Sequence, residues 1–193
     1  MVKVGILALQ GDFDAHKKAV ERAGGSAVEV RSAHDLEAVD GLIIPGGEST
    51  TMLKLLQEEA LMEPLREFGR QHPIFGTCAG AILLANEVSS PAQESLGLID
   101  VGVERNAYGR QLDSRIAAIT PEPDFQSRAG SGDMEAVFIR APIIRRVGPN
   151  ARVLARYHGD PVLVEDGRHV VATFHPELST DSRVHELFLR KLA

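Results

Sequence analysis

The sequence is poor in cysteine, aromatic residues and long apolar segments. Its 193 residues include one cysteine, Cys78, and no tryptophan, and aromatic residues make up only 5%. A single cysteine excludes an intramolecular disulfide and suits a reducing compartment. No apolar run approaches the roughly 20 residues that a membrane-spanning helix needs. The first residues also lack the pattern of a secretory signal, so we expect a cytoplasmic protein that does not associate with membranes.

The sequence also has no excess of basic residues. Lys and Arg number 21 against 27 Asp and Glu, which gives a formal net charge of −6. Since binding to phosphate backbones needs a basic face, we expect no nucleic-acid partner. The histidines and the cysteine lack the paired spacing of metal ligands, and neither a metal nor another cofactor is expected. The length and the 44% hydrophobic content suit one domain over residues 1–193.

The first half of the chain alternates short apolar runs with segments of helical periodicity. The runs predict strands at 2–9, 27–30, 41–44 and 73–76. The periodic segments predict helices at 14–23, 35–39, 51–57, 64–70 and 79–87. This alternation is typical of an α/β protein whose parallel sheet is covered by helices on both faces.

The second half favours short strands and ends in an amphipathic helix at 183–192. Strands are predicted at 99–104, 112–119, 136–139, 153–157, 162–164 and 170–174. The turn sequence Glu165-Asp166-Gly167-Arg168 indicates a hairpin, so we expect antiparallel strands added to the sheet. Residues 121–133, rich in proline, serine, glycine and charge, are expected to be disordered. The predicted fold is a three-layer α/β sandwich with a mostly parallel central sheet.

The most informative segment is Gly76-Thr77-Cys78-Ala79-Gly80, between a predicted strand and a predicted helix. This is the cysteine form of the nucleophile elbow, in which glycines permit a tight turn that projects the central side chain. At the start of a helix, backbone N–H groups favour thiolate over thiol. The amide of Ala79 is placed to donate to an oxyanion. A buried cysteine acting as a small apolar side chain is the competing interpretation.

A thiolate nucleophile needs a proton carrier, and His175 is the candidate. It follows the predicted strand 170–174 and precedes Pro176-Glu177. Reactive groups of α/β proteins lie at strand ends. On an extended chain His175 and Glu177 would point the same way, so that Glu177 can orient the imidazole. The other six histidines lack a comparable setting. A histidine that only caps a loop, beside a solvated glutamate, is the competing interpretation.

A double glycine follows a third predicted strand, in Pro45-Gly46-Gly47-Glu48-Ser49-Thr50-Thr51. The glycines expose backbone amides and permit unusual dihedrals, and Ser49 or Thr50 can cap the next helix. Alone, this segment fits a structural turn as well as an anion-binding one. It lacks the Gly-Lys-Ser/Thr of the P-loop.

Taken together, these segments resemble the class I, triad-type glutamine amidotransferases. The resemblance is most specific to the glutaminase subunits of pyridoxal 5′-phosphate synthase and spans nearly the whole chain. It is carried by these motifs: Leu9-Gln10-Gly11, Pro45-Gly46-Gly47-Glu48-Ser49-Thr50-Thr51, Met62-Glu63-Pro64-Leu65, Phe75-Gly76-Thr77-Cys78-Ala79-Gly80, Val103-Glu104-Arg105-Asn106, Gly109-Arg110-Gln111, Phe138-Ile139-Arg140-Ala141-Pro142 and Phe174-His175-Pro176-Glu177-Leu178.

The resemblance implies a glutaminase with a Cys78-His175-Glu177 triad. It further implies an oxyanion site from Gly46, Gly47 and Ala79, and glutamine contacts from Gly47, Glu48, Ser49, Arg105, Ile139 and Arg140. The partners implied are L-glutamine and a synthase subunit that builds pyridoxal 5′-phosphate within a large hetero-oligomer. Segment 121–133 departs from the family by its length.

Three other functions stay open at this stage. The chain can be a glutaminase of another pathway, a non-catalytic subunit on the same fold, or a cysteine peptidase with the same elbow. The intact set of cysteine, histidine and glutamate argues against the non-catalytic subunit. The Pro45-Gly46-Gly47 turn suggests a further hypothesis, that the oxyanion site is aligned only when the partner binds.

Overall fold

The computed structural model describes residues 1–106 and 114–193. Within them the strands are β1 (Lys3–Leu7), β2 (Ser26–Val30), β3 (Gly41–Ile44), β4 (Ile74–Thr77), β5 (Ala85–Ser89), β6 (Ile99–Glu104), β7 (Arg115–Ile119), β8 (Met134–Phe138), β9 (Ile143–Val147), β10 (Arg152–Tyr157), β11 (Asp160–Asp166) and β12 (His169–Ala172). The α-helices are α1 (Phe13–Arg22), α2 (Ser49–Glu58), α3 (Met62–Gln71), α4 (Ala79–Leu84), α5 (Pro123–Ala129) and α6 (Arg183–Arg190). Short 3₁₀ turns span His34–Ala38 and Pro176–Leu178.

A seven-stranded sheet in the order β10-β11-β12-β4-β3-β1-β2 forms the centre of the protein. Strands β2, β1, β3, β4 and β12 run parallel, and β11 and β10 continue the sheet as antiparallel strands. The hairpin predicted at Glu165-Asp166-Gly167-Arg168 joins β11 to β12. The prediction of a mostly parallel sheet with antiparallel additions is therefore confirmed.

Alternating side chains of the central strands enter two separate cores. Leu42 and Ile44 of β3 pack with α2, α3 and α4 on one face of the sheet, whereas Ile43 packs with α1 and α6 on the other. Strands β1, β3 and β4 are buried along nearly their whole length because helices cover both faces. Among the described residues no helix combines the length and the apolar character needed to cross a bilayer.

Two smaller sheets flank the central one. Strands β5, β6 and β9 form the first, and the antiparallel pair β7 and β8 forms the second. The predicted helix 79–87 is confirmed over 79–84 and wrong over 85–87, because the chain becomes extended at Ala85 and β5 pairs with β6. Strand β9 was not predicted. Of the predicted strand 112–119, residues 112 and 113 lie outside the described residues, and β7 covers the remainder from Arg115.

The expectation of disorder at 121–133 is also wrong. Residues Pro123–Ala129 form α5, which packs against α6. Phe125 is fully buried in the core below it, and Arg128 forms a two-bonded ion pair with Glu165 of β11 at 2.6 and 2.7 Å. One aromatic side chain and one ion pair therefore order a segment whose composition is otherwise typical of disorder.

Candidate active site

Three adjacent strands of the central sheet end at one place, and each delivers a predicted site segment. Strand β4 leads to Cys78, its neighbour β12 leads to His175, and its other neighbour β3 leads to Gly46-Gly47. Because parallel strands present their carboxyl ends on the same edge, segments far apart in sequence meet there.

Cys78 occupies the strained turn that the elbow motif predicts. Its φ is +51°, a conformation that few non-glycine residues adopt, and its amide donates to the Ala172 carbonyl of β12 at 2.8 Å. The flanking glycines are required by close packing. A Cβ at Gly76 would lie 2.5 Å from the Gly80 backbone, and a Cβ at Gly80 would lie 2.1 Å from the Ile44 carbonyl oxygen. The elbow thus holds α4 against β3 and β4.

His175 and Glu177 contact each other as predicted, although not by the predicted geometry. His175 Nδ1 lies 2.5 Å from Glu177 Oε1, and both side chains are buried. The chain between them is not extended, because Pro176–Leu178 forms a 3₁₀ turn that brings the carboxylate under the ring. The His175 amide donates to the Val137 carbonyl of β8 at 2.8 Å, which fixes the start of the turn.

The environment of His175 favours the imidazolium. Burial disfavours its charge, but interactions with Cys78 and Glu177 outweigh burial and raise the pKa of His175 to about 10. Since Nδ1 is held by Glu177, Nε2 is the nitrogen left to exchange a proton with Cys78 or a bound substrate. A histidine between a thiol and a carboxylate is the arrangement required for nucleophilic acyl transfer.

Glu48, not Ser49 or Thr50, caps helix α2. Its carboxylate accepts hydrogen bonds from the Thr51 hydroxyl at 2.7 Å and from the amides of Thr50 and Thr51 at 3.0 and 2.7 Å. Led by the Thr51 hydroxyl bond, these contacts lower the pKa of Glu48 to about 2. The Ser49 hydroxyl donates instead to Gln93 at 3.4 Å. Glu48 is therefore anionic at neutral pH, with much of its acceptor capacity used within its own helix.

A cavity of about 440 Å³ opens beside Cys78. Its lining includes seven residues that the sequence assigned to the site: Gly47, Glu48, Ser49, Cys78, Ala79, Arg105 and Arg140. Gly46, Ile139, His175 and Glu177 lie behind or beside it. Gly46 packs against the His175 ring, and the Ile139 carbonyl oxygen lies 3.8 Å from Cys78 Sγ.

The two arginines of the cavity differ in their contacts. Arg105 donates to the Thr50 hydroxyl at 2.6 Å, which fixes the guanidinium near the start of α2. Arg140 has a φ of +47° and also lines the cavity. Within the described part of the chain its guanidinium has no hydrogen-bonded or ion-paired partner. Arg140 is therefore free to bind an incoming anion.

Some cavity residues were not identified as site residues from the sequence. Gln10 and Asn106 both line the cavity, and the Gln10 side-chain oxygen accepts the Glu48 amide at 3.1 Å. The position of Gln10 directly after a parallel strand is a signal that could have identified it. The motif Gly109-Arg110-Gln111 lies outside the described residues.

Comparison with known proteins agrees with this geometry. The SNO glutamine amidotransferase family matches residues 6–193. A protein of Solibacter usitatus named pyridoxal 5′-phosphate synthase subunit PdxT is 64% identical, with 100% of both chains covered. A crystal structure of a glutamine amidotransferase superposes with a TM-score of 0.88 at 45% identity, covering 98% of both chains. The structure of PurLQS from Thermotoga maritima, at 16% identity and a TM-score of 0.73 over 100% of this chain and 99% of that one, shares the fold. From site and comparisons together, this chain belongs to the SNO glutamine amidotransferase family.

Proposed function

We propose that this chain hydrolyses L-glutamine to L-glutamate and ammonia, and that it delivers the ammonia to a pyridoxal 5′-phosphate synthase. The observation that carries the proposal is the Cys78-His175-Glu177 group at the edge of a cavity sized for an amino acid. The whole of residues 1–193 acts as one glutaminase domain. No metal or other cofactor enters the proposed chemistry.

In the first half of the reaction Cys78 acts as the nucleophile. Its thiolate attacks the side-chain amide carbon of glutamine, and the carbonyl electrons move to oxygen. The amides of Ala79 and of the Gly46-Gly47 turn stabilise that oxyanion. The intermediate collapses to a thioester as His175 gives its Nε2 proton to the departing nitrogen, which leaves as ammonia. Glu177 stabilises the imidazolium before this transfer.

In the second half water replaces ammonia. The neutral His175 takes a proton from water through Nε2, and the resulting hydroxide attacks the thioester carbon. Collapse of the second oxyanion breaks the carbon–sulfur bond and releases glutamate, with Cys78 as thiolate and His175 as imidazolium again. The high pKa of His175, about 10, supports a resting state in which its imidazole is protonated.

The polar ends of the cavity suit the α-amino acid group of glutamine. Arg140, whose guanidinium is unpaired within the described residues, and Arg105 offer positive charge to the α-carboxylate. Glu48 and the Ile139 carbonyl offer negative charge to the α-ammonium. Gly47 and Ser49 supply backbone and hydroxyl contacts at the same end.

A partner follows from the chemistry of the product. Free ammonia becomes ammonium in water at neutral pH and loses its nucleophilicity, so a protected route to the acceptor is needed. The 64% identical relative is named as a subunit of pyridoxal 5′-phosphate synthase, which supports a synthase subunit as the partner in a hetero-oligomer. The PurLQS structure, at 16% identity, shows only a shared fold and does not favour a glutaminase of another pathway.

The proposal is tested by measuring glutamate formation from L-glutamine. Wild type and Cys78→Ala are each assayed alone and with the synthase subunit. We expect activity in the wild type that rises with the partner and is absent from Cys78→Ala. Activity indifferent to that partner would keep the glutaminase and reject the pathway. Peptide cleavage in place of glutamine hydrolysis would favour the peptidase, and no activity under any condition would favour the non-catalytic subunit.

A further inference from the structure

Two buried histidines that the triad does not use lie directly behind it. His16 on α1 and His185 on α6 are 0% and 1% exposed, and His16 Nδ1 lies 3.0 Å from His185 Nε2. On its other side, His16 Nε2 lies 3.0 Å from the Thr77 hydroxyl and 3.2 Å from Glu177 Oε2. His16 thus touches both the residue before the nucleophile and the carboxylate of the triad.

Two observations fix the proton on Nε2 of His16. First, His185 Nδ1 has no hydrogen-bond partner among the described residues, so its ring carries its proton on Nε2 and donates to His16 Nδ1. His16 Nδ1 is then an acceptor, and the proton of this ring is on Nε2. Second, a lone pair on His16 Nε2 would face Glu177 Oε2, which would be repulsive, whereas an N–H is attractive there.

Neither ring carries a second proton at neutral pH. The pKa of His16 lies well below its ordinary range, mainly because the ring is buried and to a smaller extent because His185 and His175 are close to it. Burial, and to a smaller extent the positive charge of Arg22, lowers the pKa of His185 to about 3. The single His16 N–H therefore points toward two acceptors, the Thr77 hydroxyl and Glu177 Oε2. The Thr77 contact meets the geometry of a hydrogen bond, whereas Glu177 Oε2, at 3.2 Å from His16 Nε2, is a close polar contact and has no hydrogen-bond partner among the described residues.

We propose that His16 is a positioning residue of the glutaminase, which holds the Glu177 carboxylate through Nε2–H so that Oε1 accepts from His175. The proposal rests on the proposed function, since it assigns a role within the same triad. His185 fixes the tautomer of His16, and Thr77 ties His16 to the nucleophile elbow. The polar contacts run from His185 through His16 to Glu177 Oε2, and His175 donates to the opposite oxygen, Oε1.

The sharpest test compares two amides at position 16. In His16→Gln the amide nitrogen reaches the place of Nε2 and keeps a donor toward Glu177, whereas in His16→Asn it reaches only the place of Nδ1, beside His185. We expect His16→Asn to lower kcat roughly 10- to 100-fold, the range for loss of one hydrogen bond to a charged group. KM should stay the same, because His16 does not line the cavity, and His16→Gln should keep most of the activity.

A second measurement separates positioning from stability. In a Glu177→Ala background His16→Asn should have no further effect on kcat, because the group it acts through is gone. His169→Asn is the matched control: His169 is buried at the opposite end of β12 and accepts the Ile74 amide. We expect it to lower the unfolding midpoint and leave kcat unchanged at a temperature where the variant is folded.

A third measurement needs no glutamine. Cys78 is the single cysteine, so its alkylation by iodoacetamide reports the nucleophile alone. If Glu177 is held less firmly, it stabilises the imidazolium of His175 less well, and the Cys78 thiolate beside it is stabilised less too. Alkylation near pH 6 should therefore slow roughly 10-fold in His16→Asn and change little in His16→Gln.

The outcomes are separable. A wild type without glutaminase activity in the presence of synthase rejects the proposed function, and alkylation of the two variants then still decides the role of His16. If the wild type is active, equal rates for His16→Asn and His16→Gln, or an undiminished effect in the Glu177→Ala background, would overturn the inference about His16 alone.

Discussion

A methyl group at position 46 would lie 2.5 Å from Cε1 of His175 and 3.4 Å from Cβ of Cys78. The glycine turn after β3 therefore serves the triad through its lack of a side chain, in addition to any hydrogen bond from its amides. Only hydrogen at this position leaves the imidazole room between Glu177 and the nucleophile.

We predict that Gly46→Ala lowers kcat roughly 100-fold, the loss typical of a displacement of about 1 Å in an active site. Steady-state glutaminase assays with the synthase present measure the effect. Gly102→Ala in β6 is the control, because its new Cβ would come no closer than 3.3 Å to its nearest neighbour, Cβ of Arg146. Comparable losses of kcat in both variants would contradict a specific steric role for Gly46.

At this scale the sequence identified the residues whose motifs are local. Cys78, Ala79 and Gly76 share one elbow, and His175 and Glu177 share one turn, so short patterns indicated all of them. No sequence pattern distinguishes His16 from the other histidines, because its partners, Thr77, Glu177 and His185, are 61 to 169 residues away along the chain. Such contacts follow from the order of strands in the sheet, which a single sequence does not fix.

Among the helices and strands too, the sequence predicted those that depend on local patterns and not those that depend on distant contacts. The buried parallel strands were predicted because continuous apolar runs suffice to identify them. Helix α4 ends early because β5 finds pairing partners in β6, 14 to 15 residues further on, and this tertiary pairing overrides the helical pattern. Helix α5 was missed because its order depends on Glu165, in a strand predicted only in part.

The dependence of α5 on Glu165 gives a prediction with a defined pH range. Burial raises the pKa of Glu165, but hydrogen bonds from Arg128 and Lys191 outweigh burial. The pKa falls from an ordinary value near 4.5 to about 2. A carboxyl whose pKa is lowered by folding stabilises the folded state above its unfolded value, and this contribution is lost as the pH falls toward the folded value. We predict that Glu165→Gln lowers the free energy of unfolding at pH 7 by about 1–3 kcal/mol.

The difference between Glu165→Gln and wild type should shrink as the pH falls from about 4.5 toward 2, as measured by chemical denaturation. Amide hydrogen exchange should show faster exchange in α5 of the variant at pH 7. Glu58→Gln is the control, because Glu58 forms an exposed pair with Lys54 at 3.9 Å and should change stability by less than about 0.5 kcal/mol. A difference that stays constant across this pH range would show that the carboxylate charge does not hold α5.

For the whole molecule, the single thiol lies where the ends of β3, β4 and β12 meet. An electrophilic glutamine analogue should therefore add once to the chain, at Cys78, and not at all to Cys78→Ala, as intact mass measures directly. On the proposed function, ammonia is the product that passes from this subunit to the synthase. Labelling should consequently abolish pyridoxal 5′-phosphate formation when glutamine is the nitrogen source. Formation from added ammonium should be unchanged.

This last comparison tests the division of labour between the subunits, because added ammonium bypasses Cys78, His175 and Glu177 together. Unlabelled complex with each nitrogen source provides the reference rates. Loss of both activities on labelling would mean that the adduct disturbs the assembly, and retention of both would mean that Cys78 is not the source of the ammonia. Selective loss of the glutamine-dependent rate alone fits a subunit whose entire contribution to the synthase is a supply of ammonia.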